Sequence, residues 1–200
     1  MTHMQFKQSF RVRRIAIRLV FAALAALPCL SANAQKLALT YNAGDAVLFG
    51  TVGLGADYAL SQKWSVDVEV RFNPWTFHAG DAERQAQWRH QTYAAGVRFW
   101  PWYVHSGFWA GALLQYQEYN RGGFFGDRIT EEGDAFGVCL EAGYSWMLSH
   151  SVNVNLGVGG WGGYTFYRSY ECPRCGRLLE AGGKPFALAN RFILAIEYVF

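Results

Sequence analysis

The chain has 200 residues, a length that suits one domain; 52% are hydrophobic, 17% aromatic and only 16% charged, with 22 glycines and 5 prolines. So many aromatics and so few charges exclude a disordered chain, and the composition is not that of an Ala/Glu/Lys/Leu-rich helical bundle. The formal net charge of +3 also misleads, because its basic excess sits in the first 34 residues.

Lys7, Arg11, Arg13, Arg14 and Arg18 form a basic opening. An apolar stretch, 15–30, follows and ends at Ser31-Ala32-Asn33-Ala34-Gln35. Ala32 and Ala34 are the small residues a signal peptidase needs, so residues 1–34 are expected to be a cleaved signal peptide and 35–200 the mature domain. A membrane-anchoring helix needs a longer apolar core. A lipoprotein acylated at Cys29 needs a small residue where Pro28 stands. Cleavage removes 5 of the 18 basic residues and leaves 13 against all 15 acids, a net charge of −2. The basicity is therefore an address and points to no nucleic acid. Cys139, Cys172 and Cys175 remain in an oxidising compartment.

No later stretch has the ~20 apolar residues of a membrane helix. Alternation with period two recurs instead, most clearly in Trp64-Ser65-Val66-Asp67-Val68-Glu69-Val70-Arg71-Phe72, the pattern of a strand with one apolar and one charged face. Eight such segments are expected at 36–43, 51–60, 64–72, 89–100, 107–119, 134–147, 152–167 and 190–200. Short links at 61–63, 101–106 and 148–151 alternate with longer ones at 43–50, 73–88, 120–133 and 168–189. This is the wiring of an eight-stranded antiparallel up-and-down transmembrane β-barrel with long extracellular loops, in the bacterial outer membrane. Trp64, Trp100, Trp102 and Trp146 fall beside the short links, whereas Phe72, Tyr116, Tyr119, Tyr164 and Phe166 fall toward the long ones, as two interfacial girdles would. The last segment carries an apolar stripe, Phe192, Leu194, Ile196, Tyr198 and Phe200, that resembles the terminal signal read by barrel-assembly machinery through strand addition.

The same alternation turns a charge cluster into the lumen: Asp67, Glu69, Arg71, Arg98, Glu141 and Glu197, with Asp57, Gln115, Cys139 and Arg191 beside them. Mixed acids and arginines in so narrow a barrel are expected to pair and to pack the lumen; a proton or ion path is the alternative. The loops hold the remaining candidates. Trp75 and Phe77, in Asn73-Pro74-Trp75-Thr76-Phe77, and Phe124 and Phe125, beside Arg121 and Arg128, are candidate partner-binding aromatics; lipid anchoring is the competing reading for Trp75 and Phe77. Tyr170-Glu171-Cys172-Pro173-Arg174-Cys175-Gly176 holds two cysteines expected to form a local disulfide. Zinc shared with His78 and His90, and free thiols, are the competing readings. No catalytic set, metal site or cofactor is expected.

The pairing of Asn73-Pro74-Trp75-Thr76-Phe77 with Glu171-Cys172-Pro173-Arg174-Cys175-Gly176, on this strand spacing and with the turn Leu60-Ser61-Gln62-Lys63-Trp64-Ser65-Val66, resembles a family of Bacteroidota envelope proteins, domain-of-unknown-function family 3575. The resemblance implies a small outer-membrane barrel often associated with fimbria gene clusters, and carries over no catalytic residue. The expected function is that of a non-enzymatic barrel whose surface loops dock an envelope or fimbria-associated partner. Its other expected contacts are outer-membrane lipid, lipopolysaccharide and the assembly machinery. The alternatives are a lipid-A-modifying enzyme using His78, His90, Ser169 and Glu171, and a narrow solute channel.

Overall fold

The computed structural model describes residues 36–47, 50–79, 81, 84–124, 128–172 and 176–200; the expected signal peptide, 1–34, lies outside them. Nine antiparallel strands form one up-and-down sheet: β1 (Leu37–Asn42), β2 (Val52–Ala59), β3 (Trp64–Asn73), β4 (Thr76–Phe77), β5 (Ala86–Phe99), β6 (Gly107–Gly122), β7 (Thr130–Met147), β8 (Val152–Tyr170) and β9 (Leu178–Val199). Among the described residues the one helix is α1 (Ala43–Val47).

Strand order is β3-β2-β1-β9-β8-β7-β6-β5-β4, and β3 also pairs with β5 along Trp64–Asn73. Eight strands thus have a hydrogen-bonded neighbour on both sides and the sheet closes on itself; the two-residue β4 pairs with Ala86 and Gln87 of β5. The closure is staggered. Following paired residues from Tyr41 through Leu54, Val70, Tyr93, Tyr116, Phe136 and Tyr164 leads to Pro185. Tyr41's other partner is Ile196, eleven positions further along β9. Such an offset is what tilted strands in a closed sheet require.

Period two now separates two faces. Leu54, Val68, Val70, Val97, Leu114, Val138, Leu140, Val158, Leu194 and Ile196 point outward and are exposed, while Asp57, Asp67, Glu69, Arg98, Glu141, Arg191 and Glu197 are buried on the enclosed face. The small apolar clusters are enclosed as well: Ala94, Leu113, Ala135, Cys139 and Trp161 in one, Trp100, Trp109, Ile193 and Ala195 in the other.

Three expectations are corrected. The long links 120–133 and 168–189 contract, because β6 and β7 continue to Gly122 and from Thr130, and β8 and β9 to Tyr170 and from Leu178. Outside the apolar band both faces are wet, so the alternation of hydrophobicity fades while the backbone ladder persists. Trp100 is fully buried, its indole Nε1 donating to Ser65 Oγ at 3.0 Å, and belongs to no outer girdle; Trp64, Trp102 and Trp146 are exposed. Tyr119 is half-buried, with its hydroxyl 2.8 Å from Glu131 Oε1 and 3.0 Å from Thr165 Oγ1.

Strand curvature depends on glycine where backbones approach most closely. A Cβ on Gly163 would collide with the Phe136 carbonyl oxygen, whereas on Gly182 it would meet nothing nearer than the Tyr167 hydroxyl at 3.7 Å. Gly163→Val is expected to destabilise the fold by about 1–3 kcal/mol or more, and Gly182→Val to leave it unchanged, as read from urea unfolding in detergent.

Candidate functional site

Two groups of residues stand out: the charges inside the closed sheet and the aromatics at its long-strand end. Inside, Glu141 of β7 joins two arginines. Its Oε1 accepts from Arg98 Nε at 3.0 Å and lies 2.9 Å from Arg98 Nη2; its Oε2 accepts from Arg191 Nε at 2.6 Å. Arg98 also reaches Asp67 at 3.1 Å and stacks over the Trp109 ring, 4.7 Å from its centroid. Arg191 pairs with Glu69, which lies 3.3 Å from Arg71 Nε, and Arg71 Nη2 donates to Gln115 at 2.8 Å. The structure therefore brings Asp67, Glu69, Arg71, Arg98 and Glu141 into one network with Arg191. Bidentate and charge-assisted contacts of this kind offset the desolvation of buried charge.

Glu197 belongs to a second cluster at the short-turn end. His105 Nδ1 lies 2.8 Å from its Oε1, and Asn153 and Asn155 donate to its Oε2 at 3.3 and 3.1 Å. The His105 carbonyl accepts from Asn153 at 2.8 Å and Ser145 at 3.2 Å. The turn between β5 and β6 is thus folded into the interior, with His105 buried and in the left-handed region at a φ of 66°. Sequence reading missed His105 because a turn has no period; the alternation through 152–167 could have indicated Asn153 and Asn155. Between the arginine network and β1 and β2, a cavity of about 20 Å³ lined by Asp67, Glu69, Arg98 and Arg191 together with Thr40, Asn42 and Gly53 has room for roughly one water.

At the other end, α1 buries Gly44 and Asp45 against the sheet. Gly53 makes room for this, since a Cβ there would collide with the Asp45 carboxylate. Asp45 Oδ2 has no hydrogen-bond partner. Burial pushes the Asp45 carboxyl up to about 6, against the attraction of Arg71 and with the repulsion of Glu69.

The loop aromatics assemble in part. Phe124 meets Phe77 and Trp88 edge-on, with centroids 6.3 and 5.9 Å apart. Trp75 stands apart: its Nε1 donates to the Gly50 carbonyl at 3.0 Å and its backbone N–H to Asn73 Oδ1 at 3.0 Å, which leaves the ring about half exposed. Phe125 lies outside the described residues. Cys172 is disulfide-bonded, and Cys175 lies outside the described residues. Cys139 is free and buried. His78, His90, Ser169 and Glu171 are not joined to one another: His78 is exposed beyond β4, His90 pairs in register with Asn73 and Tyr119, Ser169 with Glu131 and Glu180, and Glu171 lies 3.6 Å from Arg177. Among the described residues no group of three or more His, Cys, Asp or Glu side chains is placed to hold a metal ion.

Two outcomes follow from this geometry. Glu141→Leu leaves two buried arginines without their shared carboxylate and is expected to cost about 3–5 kcal/mol, against a smaller loss for Glu141→Gln, by urea unfolding. For Asp45 the folded form holds its proton more tightly than the unfolded chain. Stability is therefore favoured at low pH and falls as pH rises from about 4 through about 6, by up to about 3 kcal/mol. Asp45→Asn is expected to remove that slope, seen as amide exchange of Gly44–Ala46 that no longer speeds up beyond its intrinsic pH dependence.

No curated protein matches this chain. The family described as "Protein of unknown function (DUF3575)" matches over residues 19–200. The match spans β1 to β9 and both loop motifs, and the chain belongs to the DUF3575 family.

Proposed function

We propose that the closed sheet is an eight-stranded transmembrane β-barrel of the bacterial outer membrane, and that it acts without catalysis by docking an envelope protein at its long-strand end. One observation carries the membrane reading: the outward face is a continuous apolar surface, while the charges are enclosed and paired. A water-soluble barrel reverses that arrangement. Exposed aromatics bound the surface on both sides, with Trp64, Phe108 and Trp146 toward the short turns and Phe72, Tyr116, Phe136 and Tyr164 toward the long strands.

The docking reading is supported by the Phe77–Phe124–Trp88 cluster, by exposed Trp75, and by the extension of β5–β9 past the apolar band. Aromatic side chains held in a fixed arrangement are the usual anchors of protein interfaces. The fimbria-associated partner implied by the sequence resemblance fits this end of the molecule. Neither alternative gains comparable support. The four candidates for lipid-A chemistry are dispersed, and the paired side chains leave little room for solute passage at the level of Arg98 and Arg191.

The protein is expected in the outer-membrane fraction, migrating faster on gels unheated than heated. Leu140→Arg, outward and 61% exposed, is expected to cut insertion, since a lipid-facing arginine near the midplane costs about 2–4 kcal/mol. Recovery in the soluble fraction would sink the membrane reading. Photocross-linkers at Trp75 and Phe77 that yield only lipopolysaccharide adducts would sink the docking reading.

A further inference from the structure

β9 is 22 residues long and β1 only 6. β1 pairs with β9 from Ala38↔Val199 to Asn42↔Ala195. The Asn42 side chain then continues the ladder by one step, accepting from Leu194 N–H at 3.0 Å and donating to the Phe192 carbonyl at 3.5 Å. Beyond that point Leu178–Asn190 is bonded to β8 on one edge, and no strand pairs with its other edge among the described residues. The edge is about 40 Å long at about 3.3 Å per residue, and exposed almost throughout. At the opposite margin of the same wall the edge of β5 is covered, because β4 pairs with Ala86 and Gln87.

Resting on the docking reading above, we infer that the open edge of β9, Leu178–Asn190, receives an extended segment of the partner protein as an added strand, on the same edge as β1 and beyond α1. The occupant follows from the chemistry of the edge. A row of backbone N–H and C=O groups is matched in spacing only by another extended main chain. Lys184 is paired with Glu131 at 2.9 Å, whereas Glu180 accepts only from the neutral Tyr167 hydroxyl at 2.8 Å and keeps its negative charge. The segment therefore carries no acidic side chain where it crosses Glu180. The slot lies on the same edge of β9 as the ladder with β1 and begins beyond α1, whose Gly44 packs against the backbone of Phe192 and Leu194.

A second copy of this chain fits poorly. Two copies inserted the same way up in one membrane are related by rotation about its normal, and the tilt implied by the ring's stagger makes their β9 edges cross. Pro185 sets the polarity of the edge. It has no N–H, so within the ladder its nitrogen side belongs at the open edge, and Gly183 and Ala187 share that orientation. These two positions present donors to an incoming strand.

The test places a photoreactive benzoylphenylalanine at Ala181, Ala187 or Ala189 of the full chain in intact cells, with Val68 as a lipid-facing control. Adducts are mapped by mass spectrometry. Strand addition predicts one partner polypeptide, with attachment points that advance along it in step with the position of the probe. Ala187→Pro, which removes a donor from the open edge only, is expected to lower adduct yield from Ala181 about tenfold. The same variant should keep the unheated gel mobility of the parent. As a second reading, the Gly183 and Ala187 amides should exchange slowly in native membranes and rapidly in the detergent-purified protein. Adducts to a second copy, adducts without a common register, or fast exchange in native membranes would overturn the inference. If protein adducts form at Trp75 and Phe77 but not along β9, the docking reading stands and strand addition fails; if neither region gives them, both fail.

Discussion

Closure of the sheet, through β3 with β5 and β1 with β9, is the constraint on which the rest depends. An open sheet lets a strand end wherever its own pattern ends. A closed one assigns each side chain to the enclosed or the outward face, and an error of one residue exchanges the two sets. That is why Val68 and Glu69, adjacent in sequence, meet opposite surroundings. It is also why an extra residue in β9 matters. The register passes from Gly159↔Arg191 to Trp161↔Leu188, and this bulge brings Phe186 onto the Trp161 ring, 4.5 Å between centroids.

Enclosure makes charge pairing obligatory. Arg98 and Arg191 come from different strands and are held by one carboxylate, Glu141, so the network ties β3, β5, β7 and β9 across the interior. Backbone ladders link only neighbouring strands; Arg98 with Asp67 joins the paired β5 and β3, but Glu141 with Arg98 and Arg191, and Arg191 with Glu69, link strands that are not neighbours. The inward turn carrying His105 has a similar role at the short-turn end, where Asn153 of β8 and Glu197 of β9 bind it and Asn155 holds Glu197 in turn. The paired interior thus braces the ring from within, and the docking role proposed above falls to the long-strand end.

The strands are unequal, from 6 residues in β1 to 22 in β9. The ring is completed low on one side, and its tall side rises as a wall with one edge covered by β4 and one open. Aromatic residues cluster at the covered margin, where Phe77 and Phe124 join Trp88, while the open margin offers main-chain groups. A partner that engaged both would be held by side chains at one margin and by backbone at the other.

Much of this was legible from residue order alone. Alternation placed Asp67, Glu69, Arg71 and Glu141 on one face, because period two is a local property of extended chain. It also located the ladder where one face is apolar. It could not follow β8 and β9 past that band, where Gly182, Gly183 and Lys184 carry no contrast between faces. Nor could it place Trp100 or His105, since a turn has no period and the direction of a turn is decided by what it packs against. The sequence by itself determined which side chains share a face, through local stereochemistry. Only the tertiary structure decided which arginine meets which carboxylate, where α1 lodges, and which strand edge stays open, because these depend on stagger and on contacts between residues far apart in the chain.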